Sequence, residues 1–272
     1  MQVGIFAKIF TETGALPLLK AVSDAGYEVA QFNMACVGPE SMPRVISPIF
    51  ADDISKASVA TGVAIAAVSG TYNMIHPDHA QRADGMARLA TLIRAAPQMG
   101  VRLITLCTGT RDAADQWKYH PENASKEAWR DLISEMSKAV ELAGEFNVDL
   151  GIEPELANVV SSVEKAGLLI QELKSPRIRV VLDPANLFEV ALPDERRLIV
   201  ERAVDLVGEH IVMAHAKDRD ANGEFVAAGS GVIDFSHFIK CLRSAGFDGP
   251  LITHGLSSAE APTVAAFIHQ IL

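Results

Sequence analysis

The chain has 272 residues, of which 49% are hydrophobic, so it can bury a large core. Its formal net charge of −10 disfavours broad contact with nucleic-acid phosphates, and we expect no nucleic-acid partner. It has no apolar run of the roughly 18–20 residues that a membrane-spanning helix needs, and we expect no membrane partner.

The N-terminal residues and the cysteines provide evidence on the cellular compartment. Residues 1–8 form a strand-like pattern without the basic leader of a secretory signal. Cys36, Cys107 and Cys241 are an odd and widely spaced set, which predicts reduced thiols rather than disulfides. We therefore expect a cytoplasmic protein.

Strand-like apolar runs alternate with longer amphipathic stretches along the chain. We predict strands over residues 2–9, 28–34, 64–70, 102–108, 148–153, 178–183, 210–215 and 250–254. We predict helices over residues 13–25, 49–61, 78–98, 124–146, 158–173, 194–208, 234–245 and 257–271. These strand–helix units follow one another without a linker or a change of composition, which predicts a single-domain (β/α)8 TIM barrel over residues 1–272.

The alternative architecture is an open, doubly wound sheet. That fold favours a glycine-rich phosphate turn after its first strand, and Lys8-Ile9-Phe10-Thr11 is not one. Two long segments, 35–48 and 109–123, follow predicted strands. In a barrel they lie on the catalytic rim, where loops of this length often cover a substrate.

Four side chains lie near the downstream ends of the last four predicted strands: Glu153, Asp183, His215 and His254. The ends of barrel strands converge on one rim, so these residues predict a ligand set for one divalent cation. A carboxylate that ends an apolar strand is costly to bury without a partner. Asp183 precedes Pro184, however, and is equally typical of a turn. His215 taken alone is also compatible with an ordinary core histidine.

Several segments resemble the sugar phosphate isomerase/epimerase superfamily, the xylose-isomerase-like barrels. The resemblance covers nearly the whole chain and rests on Gly-Ile-Glu-Pro-Glu (151–155), Val-Leu-Asp-Pro-Ala-Asn-Leu (181–187), Ala-His-Ala-Lys-Asp (214–218), Gly-Ser-Gly-Val-Ile-Asp-Phe (229–235) and Ala-Gly-Phe-Asp-Gly-Pro-Leu-Ile-Thr-His (245–254).

The resemblance implies a barrel with one divalent metal, held by the four residues at the strand ends. It also implies that Glu153 is both ligand and general base. Members that epimerise free ketoses resemble users of two glutamates, whereas this chain has His254 at the second position. A metal-bound imidazole nitrogen cannot also accept a proton, which disfavours epimerisation by two bases. A one-base proton shuttle through an enediolate, or a water elimination, needs only Glu153 and the metal.

Further residues near the rim are candidates for substrate contact. They are Asn73, His76, Arg111, Trp117, Glu155, Asn186 and Lys217. Each has an ordinary alternative: a loop amide, a helix cap, a surface ion pair, a packing aromatic or a solvated carboxylate. The glycines of Gly229-Ser230-Gly231 are compatible with a phosphate cradle, but a turn followed by an Asp234 helix cap is the favoured interpretation.

We therefore expect a metal-dependent isomerase or epimerase of a small sugar or keto-polyol, acting through an enediolate. The alternatives are a dehydratase of a keto-polyol such as an inosose, a phosphodiesterase of the endonuclease type, and a barrel that binds sugar without catalysis. Mixed nitrogen and oxygen ligands favour Mn²⁺, Zn²⁺ or Co²⁺ over Mg²⁺. A homo-oligomer is compatible with the sequence.

Overall fold

The computed structural model describes residues 1–38 and 40–272. Its strands are β1 Gln2–Phe6, β2 Val29–Phe32, β3 Ala64–Ser69, β4 Leu103–Leu106, β5 Asp149–Ile152, β6 Ile178–Leu182, β7 Ile211–Arg219, β8 Phe225–Ala227 and β9 Pro250–Thr253. Its helices are α1 Ala15–Asp24, α2 Pro48–Thr61, α3 His79–Ala95, α4 Lys126–Glu145, α5 Val163–Leu173, α6 Pro193–Val207, α7 Phe235–Ser244 and α8 Ala261–Ile271.

Eight of these strands close into a parallel barrel. The strands from β1 to β7 pair in chain order, β7 pairs with β9, and β9 pairs back with β1. Because all eight barrel strands run in the same direction, their carboxyl ends lie on one rim. The predicted (β/α)8 barrel is confirmed.

The core has two parts, as a barrel requires. The larger cluster joins the outer faces of the strands to the helices, and the smaller one fills the inside of the barrel. The inner cluster includes Phe6, Val181, Met213 and Ile252. The packing at position 4 favours glycine, since a Cβ there would lie 2.5 Å from Val29 Cγ2 and 2.4 Å from Ile252 Cδ1.

The element boundaries differ from prediction where local geometry changes. Residues Ala7–Ile9 form a 3₁₀ turn rather than the end of a strand, and α5 begins at Val163 because Ser162 caps it. The strand predicted over 210–215 extends to Arg219 and pairs antiparallel with β8, which was not predicted. The loop 35–48 includes Pro39, which lies outside the described residues. Over the part of the chain that is described, no helix is long and apolar enough to span a membrane.

Candidate metal and substrate site

The carboxyl ends of β5, β6 and β7 bring three of the predicted ligands together. Glu153, Asp183 and His215 each offer one donor atom, and these atoms all lie within 4.8 Å of one another. Asp183 and His215 are each only 1% exposed, whereas the Glu153 side chain is 22% exposed. The cluster is therefore buried on two sides and open to the mouth of the barrel at Glu153.

The His215 ring is held in one orientation by a residue that the sequence prediction missed. Its Nε2 lies 2.7 Å from Gln31 Oε1. An amide oxygen only accepts hydrogen bonds, so Nε2 carries the proton. His215 Nδ1 then faces Glu153 Oε1 at 3.2 Å and Asp183 Oδ2 at 3.6 Å. Burial lowers the pKa of His215, but the two carboxylates outweigh it and raise the pKa to about 9.

Asp183 presents one oxygen to the backbone and the other to this cluster. Its Oδ1 accepts a hydrogen bond from Ala185 N at 2.9 Å and caps the 3₁₀ turn Pro184–Asn186. Its Oδ2 is buried and is paired with the Lys217 ammonium group at 3.2 Å. Burial would raise the pKa of Asp183, but the charges of Lys217 and His215 hold it well below its usual range.

This donor set fits a divalent cation. Asp183 Oδ2, which also contacts the Lys217 ammonium at 3.2 Å, faces His215 Nδ1 at 3.6 Å, and the Glu153 carboxylate lies beside both. A cation that displaces the Nδ1 proton of His215 would find a nitrogen lone pair between two carboxylates. Such a group is costly unless a proton or a cation lies between its members. Two oxygens and one nitrogen are also ligands that first-row divalent metals accept.

Asn186 links the two glutamates of the site. Its Nδ2 donates to Glu153 Oε1 at 2.9 Å and to Glu155 Oε2 at 3.0 Å, and its Oδ1 accepts from Lys217 Nζ at 3.1 Å. Burial and the charge of Glu153 raise the pKa of Glu155 to about 7. Glu155, Asn186 and Lys217 thus lie beside the three clustered donors.

His254, the fourth predicted ligand, lies beside the cluster. Its ring stacks between Phe6, at a centroid distance of 5.2 Å, and His215, at 5.5 Å. The clustered donors found within residues 1–38 and 40–272 do not include it. Its Nδ1 is buried without a hydrogen bond from a described residue. Burial, then the charges of His215 and Lys217, lower the pKa of His254, so the ring is neutral. Its role as a ligand stays a prediction.

The model of one protein family matches residues 19–268, and that family is described as the xylose isomerase-like TIM barrel. The chain belongs to this family. L-ribulose-5-phosphate 3-epimerase of Shigella flexneri is 28% identical over 194 residues, which cover 70% of this chain and 63% of that protein. The match thus spans less than two thirds of the relative's length.

Solved structures of the same architecture agree with this xylose isomerase-like barrel. D-psicose 3-epimerase from Clostridium cellulolyticum superposes with a TM-score of 0.76 at 15% identity, over 100% of this chain and 99% of that one. The 3-keto-D-glucoside 4-epimerase of E. coli gives a TM-score of 0.78 at 14% identity, over 99% of each chain. At such identities the likeness shows the fold alone.

Three other predicted residues of this xylose isomerase-like barrel hold two rim loops together. Asn73 donates to Thr110 O at 2.8 Å and accepts from Thr110 N at 3.0 Å. His76 Nε2 lies 3.1 Å from Ala113 O, and Arg111 donates to Ile75 O at 2.9 Å and also pairs with Asp131 of α4 at 2.6 Å. These contacts fasten the loop 109–123 to the loop after β3.

Trp117 lies in the loop 109–123 and is 52% exposed. Among the described residues, Asn73, His76 and Arg111 form no hydrogen bond or ion pair with the three clustered donors. Substrate contacts by these four residues stay a prediction.

The glycine loop after β8 forms a turn around Asp218. The Asp218 carboxylate accepts from the backbone N–H groups of Gly229, Gly231 and Ile233 at 3.1, 2.9 and 3.0 Å. These backbone N–H groups are therefore already hydrogen-bonded to Asp218. Asp234 accepts from His237 N at 2.9 Å and caps α7. The interpretation as a turn and cap is confirmed.

Gln31 is the residue in contact with the clustered donors that the sequence prediction missed. It lies on β2 and is 2% exposed, with Nε2 at 3.3 Å from Ser69 Oγ and 3.4 Å from Thr105 Oγ1. A lone amide within the apolar run Val29-Ala30-Gln31-Phe32 was the available signal, since a buried polar side chain needs a partner.

Proposed function

We propose that the protein is a divalent-metal-dependent isomerase or epimerase of a small sugar or keto-polyol. The observation that carries this proposal is that one donor atom each of Glu153, Asp183 and His215 lies within 4.8 Å of the others, with Asp183 and His215 buried. Support comes from the relative that acts as an L-ribulose-5-phosphate 3-epimerase and from structural neighbours that are sugar 3- and 4-epimerases.

Glu153, Asp183 and His215 would hold the cation, with His254 as the candidate for a fourth ligand. A bound divalent metal supplies Lewis acidity, which stabilises negative charge on the oxygens of a carbonyl compound. The mixed donor set favours Mn²⁺, Co²⁺ or Zn²⁺ over Mg²⁺.

Glu153 is the residue placed to move the proton. Its Oε1 accepts from Asn186 and lies against His215, whereas its Oε2 has no hydrogen bond recorded from the described residues. That oxygen is free to take the α-proton of a bound ketose. In an isomerisation it would return this proton to the former carbonyl carbon, while the proton of the α-hydroxyl group passes to the former carbonyl oxygen. The side-chain amide of Asn186 donates hydrogen bonds to both carboxylates and so fixes the orientation of Glu153 and Glu155.

The substrate side of the site is formed by Glu155, Asn186 and Lys217. Together they offer a carboxyl group, an amide and an ammonium group, which suit the hydroxyl and carbonyl oxygens of a polyol. The wall formed by Phe6 and His254 is apolar on its ring faces. A short, polyhydroxylated carbonyl compound matches this combination.

A dehydratase is the second candidate. The observation that favours it is the imidazole of His254, stacked on His215, where a two-glutamate epimerase has a second carboxylate. Abstraction of an α-proton by Glu153 is common to both reactions, but elimination would also release a hydroxyl group as water. A product that is lighter than its substrate by one water separates the two.

The experiment is a screen of ketoses, ketose phosphates and inososes in deuterated water with Mn²⁺. We expect deuterium at the carbon next to the carbonyl for at least one compound, with NMR to identify the product. Glu153→Gln should abolish this exchange, while Glu141→Gln, an exposed position on α4, should leave it unchanged. Exchange that persists in Glu153→Gln, or no exchange with any compound, would refute the proposal.

A further inference from the structure

Lys217 is a buried cation directly beside the candidate metal site. The residue is 6% exposed. Its Nζ lies 3.2 Å from Asp183 Oδ2, 3.1 Å from Asn186 Oδ1 and 4.0 Å from the centroid of the Phe225 ring. A carboxylate, an amide oxygen and an aromatic face thus surround one ammonium group.

The antiparallel pairing of β7 with β8 fixes this side chain. Arg219 lies opposite Phe225, so Lys217, two residues away on β7, projects from the same face of the hairpin. The guanidinium carbon of Arg219 lies 4.0 Å from the same aromatic ring, and its Nε donates to Ala185 O at 2.6 Å. The hairpin is thereby attached to the turn that carries Asp183.

A glycine on the neighbouring strand end completes the pocket. Gly255 has a φ of +74°, and a Cβ there would lie 3.1 Å from Lys217 Cγ. The aliphatic part of Lys217 is therefore packed against backbone. With the hairpin on its other side, the lysine has little freedom to leave Asp183.

The oxygen that contacts Lys217 is the one that a metal would need. Asp183 Oδ1 is occupied by the Ala185 N–H, so Oδ2 is the atom that faces His215 Nδ1. A divalent cation bound by Glu153, Asp183 and His215 would therefore lie close to the Lys217 ammonium. Two cations on one buried carboxylate oxygen repel each other strongly, because the interior screens charge less than water does.

We propose that Lys217 competes with the divalent cation for Asp183 Oδ2 and thereby lowers the metal affinity of the site. This inference rests on the metal site of the proposed function. The lysine also offsets part of the negative charge of the Asp183 carboxylate, which it contacts at 3.2 Å. A cation bound at Asp183 Oδ2 would weaken the contact of that oxygen with the ammonium group.

The test is a titration of the chelator-treated full-length chain with Mn²⁺ by calorimetry. Lys217→Met and Lys217→Gln remove the charge and should each bind Mn²⁺ about tenfold more tightly than the wild type, or about 1.4 kcal/mol. Lys217→Arg keeps the charge and is the matched control, with an affinity close to that of the wild type. Added Mn²⁺ should also raise the Tm of Lys217→Met more than that of the wild type.

The outcomes separate this inference from the proposed function. If the wild type binds Mn²⁺ and catalyses exchange, but neither Lys217→Met nor Lys217→Gln binds more tightly, the competition is refuted and the enzyme assignment stands. Equal tightening in Lys217→Arg would also refute it, since the effect would then not come from charge. A wild type that binds no divalent cation overturns both.

Discussion

The hydrogen bond from His215 to Gln31 leads to a quantitative prediction. Gln31 Oε1 is 2.7 Å from His215 Nε2, and both side chains are buried. In Gln31→Leu the size of the side chain is nearly kept, but the imidazole N–H loses its acceptor. A buried donor left without a partner costs about 1–3 kcal/mol of stability.

The same change should weaken metal binding. The acceptor fixes the tautomer that leaves Nδ1 free for the cation, and loss of such a partner typically lowers metal affinity by about 10–100-fold. The other two bonds of Gln31, at 3.3 and 3.4 Å, are long and should contribute little. Gln31→Glu retains an acceptor oxygen but adds a negative charge, so it should bind Mn²⁺ at least as tightly as the wild type.

The assays are Mn²⁺ calorimetry and urea unfolding of the chelator-treated protein. We expect Gln31→Leu to bind at least about tenfold more weakly and to unfold at lower urea, whereas Gln31→Glu retains metal affinity. If Gln31→Leu binds Mn²⁺ as tightly as the wild type, then Gln31 does not orient a ligand and the assignment of the His215 tautomer is wrong.

Two further predictions concern stability. Gly231→Ala should lower the free energy of unfolding by about 2–3 kcal/mol, because its Cβ would lie 2.1 Å from Arg219 O and cannot rotate away. Gly144→Ala is the control, since a Cβ at position 144 has no atom within 4 Å. An equal loss of stability in both variants would contradict the argument. Tyr27 is buried, and burial raises the pKa of its hydroxyl group from 10.0 to about 12. The neutral side chain therefore contributes fully to stability below pH 10, and this contribution is lost as the pH rises towards 12. Unfolding of the wild type should show this loss between pH 10 and 12, and a Tyr27→Phe variant with the same slope over that interval would count against it.

The sequence was sufficient to predict the barrel and the cluster of three donors. Apolar strand runs mark where each strand ends, and a parallel barrel places those ends on one rim. Glu153, Asp183 and His215 could therefore be grouped from their spacing. The same reasoning grouped His254 with them, but the placement of its ring depends on stacking against Phe6 and His215, which strand position does not encode.

Other features depend on tertiary contacts that the local pattern does not contain. Asn73 and Arg111 are residue types that often contact a substrate. In the structure they instead bind Thr110 and Asp131, which only tertiary folding brings close to them. The hairpin of β7 and β8 had a local signal in Asn222-Gly223, a common turn pair. β8 has three residues, so its apolar pattern was too short to be identified as a strand from the sequence.

The most direct test of the account is anomalous diffraction from crystals soaked in Mn²⁺. We predict one strong peak at the mouth of the barrel, bonded to Glu153, Asp183 and His215 and adjacent to Lys217. The same map would establish whether His254 is a fourth ligand. A map without a peak at these three residues, or with Mn²⁺ bound only elsewhere, would contradict the central claim that they form one metal site.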